Sequence, residues 1–356
     1  MSGINEEQLR DKHSETSDEL KSQLAKQAGI LKQYRKEHGK LQLFFDALTP
    51  IITPLDPVPV FTPDEKIGTT EIGLTMHISD VHYGATQDPD EIEGFNAFNI
   101  EICRKRCLSY AQYSANYGVR MRNAYNIQDC HIIVTGDLIS GDIHQELMTT
   151  NEVPSPVQVV GAGNLLAEQI MTVAPHFRKV VVHFLVGDNH SRLTKKPQAN
   201  EEGYNSLNYI VGHIAKSRTE NQPNVEFNIY PQYEKVVTVN ERQYLIMHGH
   251  GIKGWSGIPW YGLERKLAKE STARMQLIMA SLKEFAMDRM SEIGFHKMWM
   301  GHFHTSILHP LYKVSASVQG STALDHKDGR FSEPSQSTCL VHPRHGEFGW
   351  IDFNLK

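Results

Sequence analysis

The sequence lacks any apolar run near 18 residues, so no membrane span is expected. The opening MSGINEEQLRDKHSE has no basic start followed by an apolar core, so it does not read as a secretory signal. Cysteine is scarce: Cys103, Cys107, Cys130 and Cys339 form no CxxC pair, which suits free thiols in a reducing compartment. Positive charge is not in surplus, with 36 Lys and Arg against 41 Asp and Glu and a net charge of -5. That balance excludes a global basic field pulling the protein onto nucleic acid or anionic membrane, and it leaves a local basic patch open. No internal repeat or low-complexity tract is visible. These absences describe a globular protein expected in the cytoplasm.

Histidine is plentiful instead, at 19 residues, and its placement matters. Residues 1–48 are rich in Glu, Lys, Gln and Leu and predict a helical accessory arm. Leu20, Leu24, Leu31, Tyr34 and Leu41 fall near heptad spacing, but Gln27 and His38 interrupt the seam. Residues 5–48 are therefore expected to dock on the chain's own core or to join a second copy as a homo-oligomer. The prolines of TPIITPLDPVPVFTP predict an extended connector over 49–69. A catalytic domain is expected over 70–356.

From residue 70, short β-branched runs alternate with segments of helical composition. The runs are 73–79, 131–135, 179–186, 243–247 and 297–300; the helical segments are 96–126, 157–175, 203–218 and 262–291. That alternation predicts an α/β domain. A hairpin is expected over 233–247, turning at Asn240-Glu241-Arg242.

A polar cluster follows each run: SDVH (79–82), TGD (135–137), GDNH (187–190), HGH (248–250) and GHFH (301–304). Loops at the carboxyl ends of strands build the sites of open α/β sheets, so the five clusters can converge. Their oxygen and imidazole donors suit Mn, Fe, Zn or Ni, with no thiolate involved. Asp80 and His82 lie two apart, and in an extended segment they would point the same way and grip one ion. His302 and His304 repeat that spacing. Gly136 would let the backbone turn sharply before Asp137.

The order DxH, GD, NH, H, GHxH resembles the calcineurin-like metallophosphoesterases over residues 70–325. The resemblance implies a four-layer α/β/β/α sandwich with two mixed sheets and a metal site at the strand C-terminal ends. It implies two divalent transition-metal ions, manganese foremost, with Fe, Zn or Ni as alternatives. Asp80, His82, Asp137 and His304 would hold the first. Asp137, Asn189, His248 and His302 would hold the second, with Asp137 bridging. His190 matches the non-ligand histidine that protonates the leaving group. The implied reaction is phosphoester hydrolysis by a hydroxide bridging the two ions.

One departure is visible: the third motif reads Gly187-Asp188-Asn189-His190-Ser191, with Asp188 where the pattern usually has Gly. The protein Ser/Thr phosphatase branch does not fit, because GDLISGDIH lacks the GDxxDRG continuation. ISDVHYG and the GHFH end look more like the DNA-repair exonucleases. GDNHSRLTKKP resembles uncharacterised bacteriophage phosphoesterases, which would place the chain in a host cytoplasm. Nucleic acid is therefore the expected substrate, with small nucleotides as the alternative and a non-catalytic interaction protein as the third reading. Arg192, Lys195 and Lys196 could meet phosphates. His250, Lys253 and Trp255, with Trp260 and Tyr261, could line the substrate side, the rings stacking on bases.

Overall fold

The computed structural model describes residues 53–62, 70–143, 147–194, 196, 198, 203–253, 258–283, 293–327, 329 and 331–356, together with Lys32. Apart from Lys32, the arm at 1–48 lies outside the described residues. Among the described residues, no helix is long and apolar enough to cross a membrane.

Four parallel strands, the first three largely buried, build most of the first sheet: β1 (Glu71–Ile78), β2 (Asn126–Val134), β3 (Lys179–Leu185) and β4 (Val225–Tyr230). Three helices connect them: α1 (Ile100–Met121), α2 (Ser155–Val173) and α3 (Leu207–Thr219). Asn99 starts α1 by accepting from Ile102 N at 2.8 Å, and Ser206 starts α3 by accepting from Asn208 N at 3.2 Å.

The second sheet begins with β5 (Glu234–Val239) and β6 (Arg242–Met247). Arg242 pairs with Val239, so the turn is the two residues Asn240 and Glu241, both at positive φ, rather than the three expected. Helix α4 (Trp260–Lys283) then leads to β7 (Lys297–Met300), followed by β8 (Ile307–Leu308) and β9 (Tyr312–Val314). The chain finishes with β10 (Ser335–His342) and β11 (Gly346–Asn354), which return to the first sheet. The two orders are β11-β10-β1-β2-β3-β4 and β5-β6-β7-β9-β8, and both sheets are mixed.

Side-chain alternation decides the layering. Ile133, Leu185, Tyr244, Ile246, Trp299 and Val341 pack together between the sheets. Leu245, Met247, Met298 and Met300 face the other way, onto Leu263 of α4. Leu74 and Phe184 turn toward Gly118 of α1 and Gly212 of α3. The result is the expected α/β/β/α sandwich. Trp299 anchors its middle, with ring centroids 5.1 Å from both Tyr244 and Trp350. Its truncation would cost about 3–5 kcal/mol.

The proline-rich stretch is not free of the domain. Leu55 N donates to Arg218 O at 2.9 Å, and Val58 N donates to Gln222 Oε1 at 2.8 Å. The Arg122 guanidinium lies 4.1 Å from the Phe61 ring centroid. The compact unit begins at Pro54.

Candidate metal centre

The C-terminal ends of β1, β2 and β3 lie on one edge of the first sheet, because these strands are parallel. Those of β6 and β7 do the same in the second. Each end opens into one of the polar clusters, and the two edges meet. Their approach is close enough to dictate residue size: a Cβ on Gly301 would lie 1.9 Å from Ser79 Oγ and 2.2 Å from Asp80 Oδ2.

Three groups of metal-capable side chains result, with the ligand atoms of each within 4.8 Å of one another: Asp80 with His82 and His304; Asp137 with His248 and His302; and His82 with Asp137 and His190. His82 Nε2 lies 3.0 Å from His304 Nε2, which is 3.6 Å from Asp80 Oδ1. His248 Nε2 lies 2.9 Å from Asp137 Oδ2. His302 and His304 do not grip one ion together; they divide between the first two groups.

The backbone corrects the expectation of an extended DxH segment. Asp80, His82, Asp137, His302 and His304 all have positive φ, at 52°, 49°, 50°, 71° and 55°. Non-glycine residues adopt this region rarely, at a cost on the order of 1–3 kcal/mol each. The side chains therefore converge through five local left-handed turns, not through strand alternation. Hydrogen bonds hold the turns: His302 N donates to both Asp80 carboxylate oxygens at 2.9 and 3.1 Å, and His190 N donates to Asp137 Oδ1 at 3.1 Å.

Three observations show that the site suits divalent cations. Asn189 Oδ1 is buried without a hydrogen-bond partner, an orphaned acceptor on the residue preceding His190, whose N–H meets Asp137. His248 Nε2, though 2.9 Å from Asp137 Oδ2, makes no aligned hydrogen bond, so the two atoms converge on a common point instead of on each other. Its other nitrogen, Nδ1, donates to Thr135 O at 2.8 Å, which turns the Nε2 lone pair into the site. The electrostatics agree. Burial would lower the His248 imidazole, yet Asp137, Asp80 and Asp188 outweigh it and push it up to about 10. Burial would raise the Asp137 carboxyl, yet His248 and His190 hold it well below the usual range. The carboxylates thus favour positive charge at His248, whereas burial, and then neighbouring imidazoles, hold His82 and His302 well below the usual imidazole range.

His190 is fixed differently. Its Nδ1 donates to Ser140 O at 2.6 Å, so Nε2 faces the site, 3.9 Å from Asp137 Oδ2. Its ring sits 4.7 Å from that of His82. Asp188, the departure from the usual motif, is buried and serves as a brace. Its Oδ2 accepts from Asp137 N at 2.9 Å and from Ser191 Oγ at 3.0 Å, and its Oδ1 accepts from Ser191 N at 3.0 Å. Burial, then the charge of Asp137, pushes its carboxyl up to about 7. Its two oxygens together accept from three donors. Gly136 is the complement of Asp188: it has φ 100°, and a Cβ there would lie 2.6 Å from Asp188 Cβ.

The expected substrate residues are more scattered. His250 sits beside the second group, its ring 5.7 Å from His248 and 6.3 Å from His302. Arg192 is half-buried and bridged through its backbone to Ser206, while Lys196 and Lys253 are exposed. Trp260 and Tyr261 are 52% and 78% exposed at the start of α4, so they do not fill the groove beneath it. Lys195 and Trp255 lie outside the described residues. The carbonyls of Thr135 and Ser140, which orient the two histidines, carry no side-chain signal and were invisible in the sequence.

No protein-family description and no curated protein matches the chain. Among solved structures, a single mutant of Vps29 from Entamoeba histolytica is similar at 12% identity and TM-score 0.28, covering 79% of this chain and 99% of that one. A conserved uncharacterised protein of Streptococcus pneumoniae, described as a predicted phosphoesterase, is similar at 9% identity and TM-score 0.23, covering 80% and 98%. At scores this low, the reading of function rests on the geometry of the site.

Proposed function

We propose that this chain is a metal-dependent phosphoester hydrolase that carries two divalent ions and cleaves phosphodiesters, with nucleic acid as its substrate. One observation carries the reading. Asp137 shares one group with His248 and His302 and another with His82, which in turn belongs to the Asp80 and His304 group, so the three groups form one continuous cluster. Asp80, His82, Asp137 and His304 would hold one ion, and Asp137, Asn189, His248 and His302 the other. Manganese, iron, zinc and nickel all suit these donors. Such a pair, when bound, supplies electrophilic polarisation of a phosphoryl oxygen and an acidified water.

The chain's own residues supply the rest. Asp137 is kept ionised, so it remains a ligand at neutral pH. His190 presents Nε2 to the site while Ser140 O holds its other nitrogen, the arrangement of a proton donor to a departing oxygen. His250 stands beside the second group, where the remainder of a diester would extend. A substrate panel in Mn²⁺ tests the proposal: phosphomonoester, aryl diester, cyclic nucleotide, and single- and double-stranded DNA. Diester and DNA cleavage abolished by Asp137→Asn is expected. Turnover of cyclic nucleotides alone would favour the small-nucleotide alternative. Failure of metal-loaded protein on every ester would leave the non-catalytic reading.

A further inference from the structure

Two stretches of chain, one following His82 and one lying beyond β8 and β9, meet at the surface on the side of the first ligand group. The first makes a short turn over Pro89–Ile92, closed by Glu93 at φ 54° and Gly94 at φ 78°. It then presents Phe95, 45% exposed. The second presents Phe331, 57% exposed. The two rings stand edge to face, with centroids 5.9 Å apart and planes at 69°.

The frame under this pair is rigid. Asn96 Nδ2 donates to Gln319 O at 2.8 Å and to Ser321 O at 2.9 Å. Buried Arg106 donates from Nη2 to Asn96 Oδ1 at 2.9 Å and from Nη1 to Gln319 O at 2.9 Å. Ser332 N donates to Ser321 Oγ at 2.8 Å, and Ser332 Oγ donates to the carbonyl of His304 at 2.5 Å. Phe331 is therefore one residue from a direct contact with the backbone of a proposed ligand. Scattered surface phenyl groups need no explanation. A paired set on a hydrogen-bonded frame, tied to the metal centre, is different.

We infer that Phe95 and Phe331 form a stacking subsite for a nucleobase of the substrate, on the side of the first ligand group; this rests on the proposed function for the position of the phosphate. The patch is small: with Leu324 it exposes three apolar side chains, far below the ~800 Å² per partner of a stable protein interface. At its edge His326 Nε2 lies 3.8 Å from Glu93 Oε1, and the two phenyl rings present apolar surface to solvent. A base attached to a phosphate held at the metals matches those ring faces. Aromatic stacking contributes ~1–3 kcal/mol per base.

The test uses the full chain loaded with Mn²⁺ and a fluorescein-labelled tetrathymidylate with phosphorothioate linkages, which resist cleavage. Fluorescence anisotropy reads binding, while metal content and melting temperature verify the fold of each variant. Phe95→Ala/Phe331→Ala should weaken binding at least ~5-fold. Phe95→Trp/Phe331→Trp should restore it, and Phe95→Leu/Phe331→Leu should not. Binding by the alanine variant within two-fold of wild type overturns the subsite. So does full rescue by leucine, or a change in oligomeric state, which would make the patch a protein contact. Because the readout is binding, an absence of hydrolysis in wild type would sink the proposed function and leave this inference to be decided separately.

Discussion

Replacing Asp188 by asparagine changes one oxygen to NH2 in a pocket that presents only donors to it. If the remaining oxygen stays on Ser191 N, the new amide faces the N–H of Asp137, which loses its acceptor. Ser191 Oγ can rotate and accept instead of donating, so it adapts. The Asp137 N–H is buried and cannot. Leaving one such group unpaired costs about 1–3 kcal/mol. Asp137 is also the residue shared by both proposed ion sites, and its φ of 50° depends on the bond being lost. Removing a partner that orients a ligand typically lowers metal affinity 10–100-fold. That is about 1.4–2.7 kcal/mol, the same size as the unpaired N–H. Calorimetric titration of Mn²⁺ into stripped protein measures the affinity, and urea unfolding of the metal-free protein measures the stability. Asp188→Gly, which restores the glycine of the usual motif, removes both acceptor oxygens and all three hydrogen bonds and should lose at least as much. If either variant binds metal within two-fold of wild type and unfolds at the same urea concentration, the loop holds Asp137 unaided and the bracing role is wrong.

His190→Ala should keep both metals by elemental analysis yet lose ~10²–10⁴-fold in turnover of a substrate with a poor leaving group; a loss of only a few-fold would remove it from the chemistry. A chain starting at Pro54 should fold, bind metal and cleave model diesters, with self-association through residues 5–48 lost; unfolding would refute that boundary. Starting at residue 64 should lower stability, because the Leu55 and Val58 hydrogen bonds and the Phe61 contact with Arg122 go with it. His77 is buried neutral, its imidazole pushed down to about 3 by burial and then by Lys313. The unfolded chain protonates near pH 6.5 and the folded one does not, so stability falls as pH drops through that range. The contribution between pH 7 and pH 5 is about 2 kcal/mol. Urea melts of His77→Gln should lack that increment of acid sensitivity, and equal slopes for variant and wild type would contradict it.

The clustered Asp and His residues of the candidate site were legible because chemistry restricts their type and the chain places them directly after apolar runs. β7 at 297–300 matched its run residue for residue. β10 and β11 escaped notice for a physical reason. Ser337 and Thr338 are buried in β10, the Ser337 hydroxyl donating to Asp352 of β11 and the Thr338 hydroxyl paired with that of Ser114 of α1, so the strand shows little hydrophobic pattern. Asp352 of β11 meets the buried Lys313, a pairing that sequence alone cannot display. The left-handed turns at five ligands were equally hidden, since none of those residues is glycine and the strain is imposed by the opposing strand ends. Phe95 and Phe331 lie 236 positions apart, and only the fold brings them together.

Each of the two proposed ion sites draws ligands from both sheets. Asp80 and His82 follow strand β1 of one, and His304 follows β7 of the other; Asp137 follows β2, and His248 and His302 follow β6 and β7. An ion bound there is a rivet through the edge of the sandwich. At a free concentration 100 times its dissociation constant, each ion adds about 2.7 kcal/mol against unfolding. The more particular effect is spatial. Stripping the ions should let the riveted edge breathe first, raising amide exchange at the carboxyl ends of β1, β6 and β7 while the opposite edge stays closed. In the proposed metal-bound protein the same atoms would set both the reactivity of the cleft and the mechanical seam of the fold, so that removing the ions would also unfasten it.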